Sequence, residues 1–236
     1  MGSLWLAVAA ILAVLEWVAL AADRRRAIFV LKPAVMVALL GWLVDQRPGW
    51  SAGWIWFFLA ALFSLIGDSL LLLSSSAFKY GLAAFLLAHL AYIVGLNQDP
   101  LPINPATFAI VLGVAAVFLR TARRLAAGSA HHESVPDQPD PGWTHRSPFP
   151  QAAWIYITAL AGTLISALNT LIKLTWEPAP ALLAAAGGLL FVVSDLILAW
   201  ERFVEPIAYG RVKIHITYHL AQFALLIGAG LHFGLV

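Results

Sequence analysis

The stretch Gly188-Leu189-Leu190-Phe191-Val192-Val193-Ser194-Asp195-Leu196-Ile197-Leu198-Ala199-Trp200 is an apolar run with one carboxylate inside it. A run of this kind is the sequence of a helix that crosses a bilayer, where an ionisable side chain costs about 3 kcal/mol on insertion scales. Chains carry such a residue mainly where a site uses it. Asp195 is therefore the first functional candidate. A second run, Phe63-Ser64-Leu65-Ile66-Gly67-Asp68-Ser69-Leu70, surrounds Asp68 in the same way.

The composition around these runs agrees with them. Of 236 residues, 61% are hydrophobic and 11% charged, with a mean hydropathy of +0.86; an ordinary soluble domain carries about 25% charged residues. The net charge of +2 and a pI near 9.1 do not indicate a nucleic-acid partner, because the basic residues are scattered over the connections between apolar spans. The absence of cysteine excludes disulfides, thiolate nucleophiles and Cys-ligated metals.

A spanning helix needs roughly 20 apolar residues. The expected fold is an all-α integral membrane protein, an eight-transmembrane-helix bundle in a single polytopic domain over 1–236, with helices at about 3–22, 27–44, 51–73, 77–97, 104–120, 149–172, 180–200 and 211–235. The first run ends in Ala19-Leu20-Ala21, which looks like a signal-peptide cleavage site. No Lys or Arg precedes it, however, and Arg24-Arg25-Arg26 follow it directly, so it reads as a span. Twelve of the fourteen basic residues fall in or beside the connections after the odd-numbered helices. Those connections are expected in the cytoplasm and both termini outside, in a bacterial inner or plasma membrane. The connection at 121–148, with His131-His132-Glu133, reads as a solvated loop.

Counting residues inward from these ends puts the strongly polar side chains at one depth. Asp68 and Asp195 each lie about five residues, roughly 8 Å, from the cytoplasmic end of their helices. Glu16, Lys32, His89, His215, Tyr218, His219 and Gln222 fall in the same half. On the last helix Arg211, His215, Tyr218 and Gln222 share one face, and on the fourth Gly81, Phe85, His89 and Tyr92 do the same. Thr163, Ser166 and Thr170 lie on one side of the sixth helix, with Asn169 and Lys173 nearer its outer end. Polar faces in lipid must look at one another or at water, so these stripes are expected to line a cavity open toward the cytoplasmic side.

Other roles are open to several of these residues. Asp68 and Asp195 could simply pair with Lys32, Arg202 or a His and hold the bundle together. Lys32, beside the helix-bending Pro33, could snorkel to the interface, and Glu16 could be an interfacial cap near Arg24 to Arg26. His215 and His219, at i and i+4, could ligate a metal, although no third ligand stands near them in sequence. Ser64, Ser69 and Ser194 flank the acids, and a Ser in a membrane helix commonly bonds its own backbone. Asp195, with Phe191 and Leu198 a turn to either side, is expected to be the drier of the two acids.

Two carboxyl groups in a low dielectric suit paired acid and base chemistry, in which one holds a proton and the other does not. Hydrolysis at an acetal-like or enol-ether carbon needs that pair. A proton relay in a transporter would need it equally.

The motifs themselves resemble the YhhN-like family, whose animal members are lysoplasmalogenases. The likeness is carried by Gly67-Asp68, Gly81 to Tyr92 with His89, Phe191 to Ala199 with Asp195, Arg202-Phe203, Thr217 to Gln222, and Lys32-Pro33, over almost the whole chain and in the same order. This resemblance implies an eight-helix hydrolase, without cofactor or metal, whose partners are membrane lipids, water and a lysophospholipid. It would cleave the vinyl ether of a lysoplasmalogen to a fatty aldehyde and glycerophosphoethanolamine or glycerophosphocholine. Asp68 and Asp195 would then be catalytic. Lys32 and Arg202 would hold the phosphate, and Glu16, His89, Tyr92, Ser194, Tyr218 and Gln222 would line the site. The competing readings are a proton-coupled transporter of a lipid or amphiphile, and a metal-assisted intramembrane hydrolase using His215, His219 and an Asp.

Overall fold

A computed structural model describes residues 2–46, 52–73, 77–132 and 151–234. Among these residues there are eight α-helices, each long and apolar enough to cross a membrane, and no strand. They are α1 (Gly2–Ala21), α2 (Arg25–Asp45), α3 (Ala52–Leu73), α4 (Phe78–Leu96), α5 (Pro105–His132), α6 (Gln151–Asn169), α7 (Pro178–Phe203) and α8 (Gly210–His232). A single 3₁₀ turn, Thr170–Ile172, prolongs α6. Large apolar side chains point outward along them, among them Ile11, Val18, Val30, Val37, Leu112 and Leu182. That outer surface suits lipid, and the chain is an integral membrane protein.

Where the apolar run ends is not where the helix ends. The expected loop at 121–148 begins as helix, since α5 continues to His132. Phe118, Ala122 and Leu125 stay buried at helical spacing while the intervening side chains turn charged. Hydropathy therefore falls off before the packed face does. The 28 residues of α5 span about 42 Å, more than the roughly 30 Å of a hydrocarbon core, and Arg120, Arg123 and Arg124 ride exposed on this part of the helix. Residues 133–148 lie outside the described residues. α7 is also longer than expected and carries Arg202 in its last turn.

Sequential helices form the pairs α1–α2, α3–α4 and α7–α8, joined by α2–α3, α6–α7 and α4–α6 contacts. α8 meets α1, α2 and α3 as well as α7, and α5 lies outside against α6 and α7. Lipid gives no hydrophobic reason for helices to associate, so close packing of small residues must supply the contact. At the α7–α8 seam a Cβ on Gly187 would stand 2.8 Å from the Leu225 backbone nitrogen and 3.0 Å from the Ala221 carbonyl oxygen; only glycine admits that approach. At the α3–α4 seam a Cβ on Gly67 would stand 2.7 Å from the Phe85 ring.

The end of the bundle away from the carboxylates is tied by a lysine. Lys173 Nζ donates to the Leu96 carbonyl at 2.8 Å, the Asp99 carbonyl at 3.2 Å and Asn97 Oδ1 at 3.3 Å, placing a cation at the C-terminal end of α4. Burial pulls this ammonium below the ordinary lysine range, with Asp99 acting against it. Lys173→Met strands those carbonyls, and it is expected to cost about 2 kcal/mol, read as an earlier thermal transition of the detergent-solubilised protein. A transition within error of the parent's would show that the clamp carries no stability.

Candidate functional site

Four helices build the surroundings of Asp68. The carboxylate stands on α3 and is fully buried. From α8, Tyr218 OH donates to Oδ2 at 2.6 Å. From α2, Lys32 Nζ stands 3.0 Å from Oδ1 as an ion pair, without making a well-directed hydrogen bond to that oxygen. Gln222, one turn beyond Tyr218, donates through Nε2 to Ser64 Oγ at 2.9 Å and accepts from Tyr92 OH at 2.5 Å. The same face of α8 thus serves α3 twice and α4 once.

Asp195 on α7 has different partners. Its Oδ2 accepts from Tyr156 OH of α6 at 2.6 Å and from His89 Nε2 of α4 at 3.1 Å. The other ring nitrogen, His89 Nδ1, lies 3.1 Å from Thr163 Oγ1, which also reaches the Ala159 carbonyl. Both partners of Asp195 meet Oδ2, and among the described residues none meets Oδ1. Asp195 is 9% exposed where Asp68 is 0%, so the expectation that Asp195 is the drier acid is wrong. One turn of apolar neighbours along its own helix says little about the adjacent helix, and here α6 presents a phenol.

Between the two hydrogen-bonded groups stands Phe191. Its buried ring lies 4.6 Å, centroid to centroid, from His89 and 5.7 Å from Tyr218. Tyr92 and Phe85 complete an aromatic wall around it. The carboxylates therefore sit in separate hydrogen-bonding environments, one with an ammonium and a phenol, the other with an imidazole and a phenol.

The remaining candidates take these places. Glu16 on α1 is buried and pairs through Oε1 with His215 Nδ1 at 2.6 Å, which is a tighter role than an interfacial cap. Lys32 is 6% exposed and turned to Asp68, not toward the interface. Ser194 donates to the Ile214 carbonyl of α8 at 2.9 Å; it joins two helices where a bond to its own backbone was the plain expectation, whereas Ser69 does bond its own helix. The Arg202 guanidinium stands over the Phe78 ring at 4.9 Å. His219 Nδ1 accepts from the Trp17 indole N–H at 3.1 Å. Among the described residues no three His, Cys, Asp or Glu side chains gather to hold a metal; His215 is engaged by Glu16 and His219 by Trp17. What the structure shows where a cavity open toward the cytoplasmic side was expected is a packed polar core of buried side chains among the described residues.

Tyr156 was missed by sequence reasoning. It shares a face of α6 with Thr163, seven residues on, and that stripe was visible from Thr163 onward. Trp17 was missed as well, because its indole reads as interfacial.

The chain matches the YhhN family over residues 27–229. It belongs to that family. Its relatives include lysoplasmalogenase TMEM86A of Bos taurus, 25% identical over 225 residues that cover 83% of this chain and 85% of the relative. Lysoplasmalogenase TMEM86B of Homo sapiens is 28% identical over 196 residues, covering 82% and 71%. Lysoplasmalogenase TMEM86B of Sus scrofa is 29% identical over 163 residues, covering 69% and 58%. No solved structure matches the chain. In this member of the YhhN family, Lys32, Asp68, His89, Asp195, Tyr218 and Gln222 all lie within the matched residues, and Glu16 and Trp17 precede them.

Separate environments predict separate energetics. In a double-mutant cycle on unfolding in micelles, Asp68→Asn and Asp195→Asn are expected to add within about 0.5 kcal/mol. Asp195→Asn and Tyr156→Phe, which share a hydrogen bond, should miss additivity by about 1 kcal/mol. Strong coupling between the two acids would refute the partition by Phe191.

Proposed function

We propose that this protein is a membrane-embedded hydrolase that cleaves the vinyl ether bond of lysoplasmalogens. It takes up water and releases a fatty aldehyde and glycerophosphoethanolamine or glycerophosphocholine. The names of its relatives support the substrate class. The observation that carries the chemistry is the pair of buried carboxyl groups in unlike surroundings, Asp195 with a free oxygen and Asp68 beside an ammonium.

The mechanism follows from those surroundings. Hydrolysis begins with proton transfer to the vinyl β-carbon, which leaves an oxocarbenium ion. Oδ2 of Asp195 already accepts two hydrogen bonds, so a proton on this carboxyl resides on Oδ1, to which no side chain among the described residues donates. Asp195 is the donor to carbon. Asp68, whose partner Tyr218 also packs on the Phe191 ring, stabilises the cation and takes the proton of the water that adds to it. The hemiacetal then collapses, with the glycerol oxygen leaving as a hydroxyl, and the proton gained by Asp68 restores the balance through the polar core. Tyr156 and His89 orient Asp195; Tyr218 and Lys32 orient Asp68. Gln222, Tyr92 and Ser194 hold the helices at the right spacing.

A lysophospholipid enters with its head group at the interface. The distribution of basic residues supports an orientation with both termini outside and the polar core opening toward the cytoplasm of the plasma membrane. Arg202 and the exposed Arg24, Arg25, Arg26, Arg211 and Lys213 would then meet the phosphate. Lys32 is reserved for Asp68.

Purified protein given lysoplasmalogen is expected to release free aldehyde. Asp195→Asn should lower that rate by at least about a hundredfold, Asp68→Asn comparably, and Tyr156→Phe less. Turnover that survives both Asp→Asn changes would end the two-acid mechanism. No aldehyde from the parent protein would end the hydrolase reading and leave proton-coupled transport.

A further inference from the structure

Three buried polar atoms make no well-directed hydrogen bond, and one of them, Asp68 Oδ1, is ion-paired with Lys32 at 3.0 Å. They are Glu16 Oε2, Asp68 Oδ1 and His219 Nε2. Among the described residues the only other such side-chain atom is Asn169 Oδ1, on α6. Glu16 Oε2 and His219 Nε2 have no partner and Asp68 Oδ1 faces only the Lys32 ammonium; a buried polar atom without a partner costs about 1–3 kcal/mol, so two beside a carboxylate oxygen with room for a further bond need a reason.

They belong to one locality. Glu16 and Trp17 are consecutive on α1 and reach His215 and His219, one turn apart on α8. The rings of His215 and His219 stand 6.3 Å apart, and that of Tyr218, which holds Asp68, stands 5.3 Å from His219. Lys32, on α2, reaches the same place with its Nζ 3.0 Å from Asp68 Oδ1.

The chemistry of the three is also complementary. An indole nitrogen can only donate, so the bond from Trp17 requires a lone pair on His219 Nδ1 and puts the ring's proton on Nε2. His219 Nε2 is thus a donor, while Glu16 Oε2 and Asp68 Oδ1 are carboxylate acceptors. Two acceptors and one donor match a water molecule that gives both its O–H groups and accepts one bond, with its second lone pair left free.

We propose that Glu16, His219 and Asp68 form a binding site for one water molecule, and that this is the water that captures the oxocarbenium ion. The inference rests on the vinyl ether hydrolysis proposed above. The free lone pair forms the new C–O bond, one O–H proton passes to Asp68 Oδ1, and the other stays on the hemiacetal hydroxyl, held by Glu16. No oxidant or further reactant is needed. Glu16 comes from α1, ahead of the residues that match the family.

The test is competition between nucleophiles. Wild-type protein, E16Q, H219N and H219Q are given lysoplasmalogen in buffer containing methanol, and the ratio of methyl acetal to free aldehyde is measured. A water held by three protein atoms excludes methanol, so the wild-type ratio should be low. E16Q and H219N should raise it about tenfold, the factor commanded by one hydrogen bond to a charged or fixed partner. H219Q carries its amide nitrogen where His219 has Nε2, and it should restore the low ratio. Unchanged ratios in E16Q and H219N would overturn the water site while leaving the hydrolase intact. An H219Q ratio equal to that of H219N would assign His219 to packing and overturn the site as well. A parent protein that releases neither aldehyde nor acetal would overturn the hydrolase reading first and the water site with it.

Discussion

The Lys32–Asp68 ion pair is the interaction on which the rest of the bundle depends. Two charges taken out of water cost several kcal/mol each, and only mutual contact with further hydrogen bonds brings that cost down. Lys32 stands on α2, Asp68 on α3, and the hydroxyl that completes Asp68 comes from α8. Satisfying one carboxylate therefore fixes three helices against each other. Pro33 follows Lys32 directly inside α2, where it removes a backbone donor and bends the helix at the level at which Lys32 must turn inward.

Once α8 is placed by Tyr218, its other contacts follow at helical spacing. His215 lies one turn before it and meets α1; Gln222 lies one turn after it and meets α3 and α4. The second carboxyl is built differently. Asp195 draws on α4 and α6, and Phe191, one turn earlier on α7, separates it from the first. The two acids thus have different hydrogen-bond partners, and the rings of one partner of each, His89 and Tyr218, both pack on Phe191. Reactions that need one carboxyl as donor and another as cation stabiliser need that inequality.

Much of this was legible before any coordinates. Apolar runs long enough to span gave the eight helices, since in lipid only a helix satisfies its own backbone throughout the run. The i, i+4, i+7 spacing on α8 gave the face that carries His215, Tyr218 and Gln222, and the cost of charge in lipid singled out Asp68 and Asp195. What could not be read was pairing across helices. Nothing in sequence separates Lys32 as a partner of Asp68 from Lys32 as an interfacial anchor, because both uses put a lysine near a helix end. Tyr156 was hidden for a related reason: a tyrosine two turns into a span is common at interfaces, and only the fold sets it 2.6 Å from Asp195. The end of α5 was misplaced because hydropathy measures what faces lipid, whereas the helix persists as long as Ala122 and Leu125 have something to pack on.

The place of α1 shows how much of a site can lie outside its recognisable core. The family match begins at residue 27, after this helix, yet Glu16 is fully buried against α8. A carboxylate at that position would be expensive if α1 served only as an anchor, for an anchor needs nothing but apolar residues. Its neighbour Trp17 does more than fill space, since by donating to His219 it settles which nitrogen of that ring bears the proton. Two consecutive residues of α1 thereby set the hydrogen bonding of two histidines on the face of α8 that also carries Tyr218. The helix closes the polar core with directed groups, and the core's chemistry is incomplete without it.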